Sequence, residues 1–224
     1  MTMNGGVFWT QISIQQIGTD RWTGTRTEVL ATYDTAYSNG VLYVAYEDAG
    51  FWRSDDRGAS WKQLLWPGAM PDTLRPDGAT EIYVHPSDPD RFYVALGSFS
   101  NDFRENVRSE IQQSTDGGTT TTDVTPPASA TLPGRPVLSV TRGTSSSEDT
   151  LYSAFHGDSI YKSTDGGATW SEISTGFAAD DLKTIYRITA DPSNANTVYA
   201  GMNTFFGAFT GDGGLYRSTD GGAN

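Results

Sequence analysis

The chain has 224 residues, enough for one large domain or two small ones, and its 25 glycines with frequent threonine, serine, tyrosine and valine favour strands and tight turns. A formal net charge of −12, without any cluster of lysine and arginine, opposes binding to nucleic acid or to an anionic membrane. The absence of cysteine excludes disulfides and thiolate metal sites.

The N-terminal sequence MTMNGGVFWTQIS has no basic region followed by an apolar run, so we do not expect a signal peptide in it. No apolar window is long enough to span a membrane. The run GGVFWTQIS is similar to a later segment, DGGATWSEIS. This likeness predicts that Val7–Ser13 is an outer strand, belonging to a preceding or a closing sheet.

A short motif, Ser-x-Asp-x-Gly, occurs four times, with successive serines 60, 49 and 55 residues apart. A repeat of this length is suited to one supersecondary unit. In the second copy Thr121 replaces a tryptophan that the first and third copies carry. The motif residues are Ser54, Asp56, Gly58 and Trp61; Ser114, Asp116 and Gly118; Ser163, Asp165, Gly167 and Trp170; and Ser218, Asp220 and Gly222.

Strand-like runs surround every copy of the motif, with GFWRS, EIQQS, SIYKS and GLYRS before it and alternating segments such as ATWSEIS after it. Two more strand-like runs precede each resulting hairpin, separated by turn sequences such as HPSDPDR and DPSNANT. Four antiparallel strands in tandem repeats predict an all-β fold, a β-propeller of about four blades. The predicted blades are 21–67, 68–127, 128–176 and an incomplete 177–224, after an outer strand within 1–20.

The motif itself has an architectural interpretation. Its aspartate and serine can accept hydrogen bonds from turn amides, its glycine permits a backbone conformation closed to other residues, and its tryptophan can bury a large ring at the base of the hairpin. We therefore predict a structural role for the motif aspartates. The motif resembles the Asp box, or bacterial neuraminidase repeat, which implies a propeller fold but is shared by sialidases, xyloglucan hydrolases, sortilin-like receptors and assembly factors.

The two ends of the chain are complementary, because the last repeat lacks an outer strand and the first residues offer one. Three arrangements follow: a four-bladed ring closed across its termini, a segment of a larger propeller, and self-association of two chains through their terminal strands. We favour the segment, because the sequence stops inside a turn motif.

The loops between the second and third strands of each repeat are the least repetitive parts, and variable loops on a rigid scaffold are where function concentrates. They combine carboxylates with aromatic rings, which suits a carbohydrate ligand: a ring stacks on a sugar face while an acid binds hydroxyls or assists cleavage. The alternative is that these acids cap turns. The expected substrate-binding residues are Tyr46, Trp52, Phe99 and Phe205.

The segment LYVAYEDAGFWRSDD resembles the Gly-Asp-x-Gly-Gly-Phe region of glycoside hydrolase family 74, the xyloglucanases. The resemblance implies that Asp48 is one of two catalytic carboxylates. Glu47 stands where the family has glycine, one glycine is missing after Ala49, and the family's second catalytic aspartate belongs to another domain. Asp158 and Asp212 are the candidates within this chain for the partner acid.

Other kinds of site are disfavoured. Tyr186–Thr189 (YRIT) resembles the sialidase Phe/Tyr-Arg-Ile-Pro signature, but threonine replaces the proline, and the segment is also an expected first strand. His85 and His156 are the only histidines and have no metal-ligand spacing, so no metal site and no cofactor are predicted.

The sequence thus predicts a carbohydrate-active propeller, part of a xyloglucanase-like hydrolase of β-linked polysaccharide, in which this chain holds half of the active site. A non-catalytic propeller that binds a glycan or a protein is the alternative. A purely structural fragment is the third reading. We expect a secreted or extracellular protein, with the cytoplasm as the other compartment left open.

Overall fold

The computed structural model describes residues 15–16, 22–23, 32–46, 50–64, 78–97, 109–127, 136–141, 146–155, 159–177, 185–202 and 214–223. Within these residues the chain forms seventeen strands in four antiparallel sheets, with one turn of 3-10 helix at Ser146–Glu148. The prediction of an all-β fold made of repeated antiparallel sheets is confirmed.

The first sheet is the widest, with six strands. Its strands are β1 (Gln15–Gln16), β2 (Trp22–Thr23), β3 (Thr32–Ser38), β4 (Val41–Tyr46), β5 (Gly50–Ser54) and β6 (Ser60–Gln63), in the spatial order β1-β2-β6-β5-β4-β3. Residues 15–16 and 22–23 therefore extend the outer edge of the first sheet. The predicted outer strand Val7–Ser13 lies outside the described residues.

The other three sheets repeat one plan, in which consecutive strands are neighbours. The second sheet holds β7 (Gly78–His85), β8 (Asp88–Gly97), β9 (Glu110–Ser114) and β10 (Thr122–Asp123). The third holds β11 (Pro136–Thr141), β12 (Thr150–Phe155), β13 (Ile160–Ser163) and β14 (Ser171–Glu172). The fourth holds β15 (Ile185–Asp191), β16 (Asn194–Met202) and β17 (Gly214–Ser218).

Most of the hydrophobic core lies between neighbouring sheets, and a smaller cluster of Val44, Trp52 and Trp61 lies within the first sheet. Tyr43, Phe51 and Phe92 form an aromatic group between the first and second sheets, with ring centroids 5.0–5.4 Å apart. A second cluster joins the second and third sheets around Tyr93 and Leu151, and a third joins the third and fourth sheets. Neighbouring sheets thus bury one another's faces, as propeller packing requires.

A tyrosine on the second strand of each of the first three sheets makes the same contact with the next sheet. The hydroxyl groups of Tyr43, Tyr93 and Tyr152 donate to the carbonyl oxygens of Pro89, Ser146 and Ala195, at 2.7, 3.2 and 2.7 Å. Each accepting carbonyl lies in or beside the turn between the first two strands of the following sheet. All three rings are fully buried, so the contacts fix the relative position of successive sheets.

The motif residues close the turn between the third and fourth strands. In all four copies the serine hydroxyl donates to the aspartate Oδ1 at 2.7–2.9 Å and accepts from the glycine amide at 2.7–2.9 Å. In the first three copies the aspartate also accepts from the amide and hydroxyl of a serine or threonine four residues on. The carboxylates bond to their own turns, which is consistent with the Asp-box resemblance.

The motif glycines also bring each turn close to the preceding sheet. Gly167 has φ +94°, and a Cβ on it would lie 2.7 Å from Cβ of Val124, at the outer edge of the second sheet. Gly118 and Gly222 face Leu64 and Ile173 in the same way. Glycine is therefore required at this position for backbone conformation and for the close approach of two sheets.

Candidate functional site

The loops between second and third strands leave their sheets at the same end. Tyr46 pairs with Gly50, Leu96 with Glu110 and Met202 with Gly214 immediately beside these loops. The motif turns lie at the opposite end of each third strand. The structure therefore separates the variable loops from the motif aspartates, and we call the loop-bearing end of the four sheets the loop face.

Most of the predicted site residues fall on the loops themselves. Residues 47–49, 98–108, 156–158 and 203–213 are outside the described part of the chain. This applies to the predicted carboxylates Asp48, Asp158 and Asp212 and to the aromatic residues Phe99 and Phe205. Their roles remain predictions.

Tyr46 and Trp52 flank the first loop and are described. The side chain of Tyr46 is partly buried, and this burial raises the pKa of its hydroxyl, although a hydrogen bond with Thr32 opposes the rise. Trp52 is 4% exposed and packs with Val44 and Trp61. The sequence indicated an exposed ring at Trp52, whereas the ring is buried in the structure. Trp52 lies on the central strand β5, and large side chains from the two adjacent strands cover it on the same face of the sheet.

A series of polar side chains lines the inner edges of the sheets. Asp34 Oδ2 accepts from the amide of Ile82 in the second sheet at 2.9 Å, and Glu81 Oε2 accepts from the amide of Leu138 in the third at 2.5 Å. Ser139 Oγ then accepts from the amide of Ala190 in the fourth sheet at 2.8 Å. Each innermost strand thus supplies an acceptor for a backbone amide of the next innermost strand.

Arg187 in the fourth sheet occupies the repeat position of Asp34 and Glu81, and its side chain is directed towards Glu81 of the second sheet. Its Nη1 lies 2.7 Å from Glu81 Oε1, and the side chains are 58% and 5% exposed respectively. A buried carboxylate is strongly destabilising unless it is paired. Arg187 and the Leu138 amide together provide those partners for Glu81.

A pocket of about 220 Å³ surrounds this ion pair, lined by residues of the four innermost strands: Asp34, Glu81, Tyr83, Ser139, Arg187 and Thr189 among them. Asp34 and Glu81 are separated from the loop ends by only a few residues along their strands. The pocket therefore lies towards the loop face. Because both acids already accept hydrogen bonds from main-chain amides, they act here as structural acceptors rather than as free acids or bases.

The sequence reasoning missed this inner polar series. A signal was present, because the charged residues Asp34, Glu81 and Arg187 share one repeat position in the first strands, opposite Ala45, Ala95 and Gly201 of the second strands. Ser139 lies two residues beyond the equivalent position in the third sheet, which Val137 occupies. Backbone irregularities mark the same place, with register shifts at Thr32/Asp34, Ala79/Glu81 and Ile185/Arg187. Such bulges re-aim a side chain and are invisible to a reading based on strict alternation.

The motif aspartates have a different electrostatic setting. Hydrogen bonds from the hydroxyl and amide of Thr120 lower the pKa of Asp116 to about 2. Those from the Thr169 hydroxyl and amide lower the pKa of Asp165. A carboxylate held ionised by its own turn is poorly suited to donate a proton to a leaving group, which supports their structural role.

Within the described ranges, no group of three or more histidine, cysteine, aspartate or glutamate side chains could hold a metal ion. The same residues include no helix long and apolar enough to cross a membrane.

Comparison with known proteins connects this arrangement to polysaccharide hydrolases. The chain is 29% identical over 203 residues to a xyloglucanase from a Paenibacillus species, and the match covers 82% of this chain and 19% of that enzyme. It is 26% identical over 198 residues to the xyloglucanase Xgh74A of Acetivibrio thermocellus, covering 81% of this chain and 23% of the relative. The chain spans about a fifth of the length of these relatives. No family model matches it.

Solved structures give the same fold. The family 74 enzyme of Niastella koreensis superposes with a TM-score of 0.60 and 24% identity, over 87% of this chain and 28% of that one. An ancestral family 74 enzyme superposes with a TM-score of 0.61 and 19% identity, over 96% of this chain and 25% of that one. The resemblance inferred from the segment around Asp48 is therefore confirmed at the level of fold, and the chain is a β-propeller unit similar to those of the glycoside hydrolase family 74 xyloglucanases.

Proposed function

We propose that this chain is part of a xyloglucanase-like glycoside hydrolase that binds β-linked polysaccharide across the loop face. The observation that carries the proposal is the similarity to two xyloglucanases over about four fifths of the chain. The separation of the variable loops from the motif turns supports it, because it leaves one end of the sheets available for a ligand.

In this proposal Asp48 is one of the two carboxylic groups that glycoside hydrolysis requires. One acid protonates the leaving oxygen, and the other activates a water molecule at a separation of ~6.5–9.5 Å when the reaction inverts the anomeric centre. The second group comes from Asp158, from Asp212 or from a part of the protein outside this chain. Tyr46, Phe99 and Phe205 stack against sugar rings, while Trp52, which is buried against Val44 and Trp61, is not available for stacking.

The substrate lies outside cells, so we propose that the protein is secreted. A polysaccharide is its proposed partner. A second copy of the chain is the other partner that the terminal strands offer, and light scattering would reveal it as a doubled mass.

The test is hydrolysis of xyloglucan and other β-glucans by the full-length protein and its Asp48→Asn variant. Removing a catalytic acid or base is expected to lower kcat about 10²–10⁴-fold while binding of the polysaccharide is retained. Glu47→Gln, which neutralises the neighbouring acid, is the matched control and is expected to keep most of the activity. Full activity in Asp48→Asn would refute the assignment of Asp48. Binding without turnover in the unmodified protein would instead favour the alternative, a non-catalytic glycan-binding propeller.

A further inference from the structure

Each contact between consecutive sheets contains a small group of polar atoms around the buried tyrosine, which we call the inter-sheet niche. The earlier sheet supplies the tyrosine and the residue that pairs with it directly before the motif serine: Tyr43 with Arg53, Tyr93 with Gln113 and Tyr152 with Lys162. The later sheet supplies a polar residue near the start of its second strand, whose carbonyl oxygen accepts from a glycine amide of the motif turn. These residues are Asp90, Asp149 and Asn196.

In the first niche the cation comes from the third strand. Arg53 Nη1 donates to the hydroxyl of Tyr43 at 2.9 Å and to Oδ1 of Asp90 at 2.6 Å. The same atom donates to the carbonyl oxygen of Gly117, in the motif turn, at 3.3 Å. The Arg53 side chain is 14% exposed. One guanidinium group therefore bonds to the tyrosine of its own sheet and to both the acid and the motif turn of the next.

In the second niche a neutral side chain stands at the position of Arg53. Gln113 Nε2 donates to the hydroxyl of Tyr93 at 2.6 Å and to the carbonyl oxygen of Gly166 at 3.4 Å. These are the counterparts of two of the three bonds that Arg53 makes. Gln113 brings no charge to the niche, so the acid of the third sheet needs another partner.

That partner is an arginine on the second strand of the same sheet. Arg91 Nη2 lies 2.5 Å from Oδ1 of Asp149, and the two side chains are 8% and 0% exposed. Arg91 stands two residues before the niche tyrosine, where the first sheet has Val41 and the third has Thr150. The second sheet thus supplies its cation from a different strand, to the same place.

The third niche has a cation that faces an amide instead of an acid. Lys162 Nζ lies 5.4 Å from the centroid of the Tyr152 ring. A Cβ placed on Gly221 would be 2.3 Å from this Nζ and 2.9 Å from Oδ1 of Asn196. The lysine and the amide therefore meet at the motif turn, as the corresponding arginine and aspartate do in the first niche.

We propose that the inter-sheet niche is the site at which one sheet recognises the next, and that it requires one cation wherever the following sheet presents an aspartate. The earlier sheet can supply this cation from either of two positions, that of Arg53 on the third strand or that of Arg91 on the second. Gln113 is neutral because Arg91 already carries the charge, and a second cation beside it would be repelled.

The test moves the cation of the second niche, using residue types that the chain itself places at these positions. Arg91→Thr copies the third sheet and Gln113→Arg copies the first. Arg91→Thr alone is expected to lower the folding equilibrium constant, measured by urea denaturation, on the order of 10²–10³-fold, because it leaves the buried Asp149 without a cation. Gln113→Arg alone is expected to lower it about tenfold, through repulsion between two guanidinium groups.

The double variant Arg91→Thr/Gln113→Arg rebuilds the arrangement of the first niche. It is expected to lie within about tenfold of the unmodified chain, which is a non-additive coupling of the two positions. Losses that simply multiply in the double variant, or an Arg91→Thr variant as stable as the unmodified chain, would overturn the proposal. If Arg91→Thr does not fold, a folded double variant supports the proposal and an unfolded one overturns it.

A second rescue tests the dependence on the acid. Asp149→Asn copies the fourth sheet and removes the charge that needs a partner, so Arg91→Thr/Asp149→Asn is expected to be at least about tenfold more stable than Arg91→Thr. No gain from this change would contradict the link between the aspartate and the cation.

Lys162→Gln is the matched control, because it places the residue type of Gln113 opposite the uncharged Asn196. It leaves no carboxylate at this position without a partner and is expected to lower the folding equilibrium constant less than about tenfold. A loss as large as that in Arg91→Thr would mean that the niche needs its cation whatever the following sheet presents, against the proposal.

Discussion

The third and fourth sheets have closely similar sequences but different surroundings. Tyr152 and Tyr199 occupy the same repeat position, yet the first is fully buried and the second is 37% exposed. Ile160 and Leu215 also correspond, at 2% and 74% exposure. The third sheet has a neighbour on each side and a fourth strand, whereas the described part of the fourth has neither a following sheet nor an outer strand. The repeat sequence therefore specifies which residues can be buried. Whether such a residue is in fact buried depends on the strands and sheets that pack against it.

Truncation of the two tyrosines should give the largest difference between these sheets. Tyr152→Ala is expected to lower the free energy of unfolding by about 3–5 kcal/mol, because it removes a buried ring and leaves the carbonyl of Ala195 without its donor. Tyr199→Ala is expected to cost less than about 1 kcal/mol. Urea denaturation of both variants measures the difference. Equal losses of unfolding free energy in the two variants would show that Tyr199 is buried in solution and would contradict the difference described between the third and fourth sheets.

A glycine in the motif turn gives a second, smaller contrast. Gly166 and Gly221 occupy the same repeat position with φ +72° and +74°, so alanine is strained at both. A Cβ at Gly166 would lie 2.0 Å from the carbonyl oxygen of Ser146, whereas at Gly221 the nearest atom is the terminal nitrogen of Lys162, which can move away.

Gly166→Ala is therefore expected to destabilise the chain by about 1–3 kcal/mol more than Gly221→Ala. Thermal and urea unfolding of the two variants give the comparison. A larger loss in Gly221→Ala would mean that the turn of the fourth sheet is packed as tightly as that of the third.

The smallest expected effect is on the stability of the fold in acid. It depends on the hydroxyl group four residues after the aspartate, which the first three motifs carry. Hydrogen bonds from Thr120 hold the pKa of Asp116 at about 2, below its ordinary value of 3.8. The folded state therefore binds fewer protons than the unfolded state between these values. The stabilisation is present above about pH 4 and is lost as the pH falls through 2.

Asp116→Asn should flatten the dependence of unfolding free energy on pH between about 4 and 2. Asp220→Asn should change it less, because the fourth motif has no serine or threonine at the position of Thr120. Urea denaturation at a series of pH values tests this. An unchanged slope in Asp116→Asn would contradict the role assigned to the motif carboxylate.

Much of the fold could be predicted because its determinants are local. Strand alternation, turn residues and the repeated motif all lie within about ten residues of one another, and the antiparallel sheets follow from them. The burial of Trp52 could not be predicted, because the ring is covered by residues from other strands of the first sheet. The contact from Tyr43 to Pro89 spans 46 residues and depends on how two sheets pack, which no local pattern contains.

The candidate site was less predictable for the same physical reason. The catalytic and binding groups that we propose lie on the least repetitive loops, so the repeat that reveals the scaffold gives no information about them. Asp48 was identified through a resemblance to one family. The ion pair of Glu81 with Arg187 joins residues 106 positions apart and depends on the approach of two bulged strands, β7 and β15.

The hydrogen bonds that Asp34, Glu81 and Ser139 make to the next sheet bear on aggregation. The innermost strand of a sheet has a free edge, and an exposed edge can recruit a strand from another molecule into an insoluble assembly. Here side chains bond to amides along three of those edges. In the described part of the chain, backbone amides along three central edges are therefore already bonded to side chains of the adjacent sheet, so they are not free to donate to a strand of another molecule.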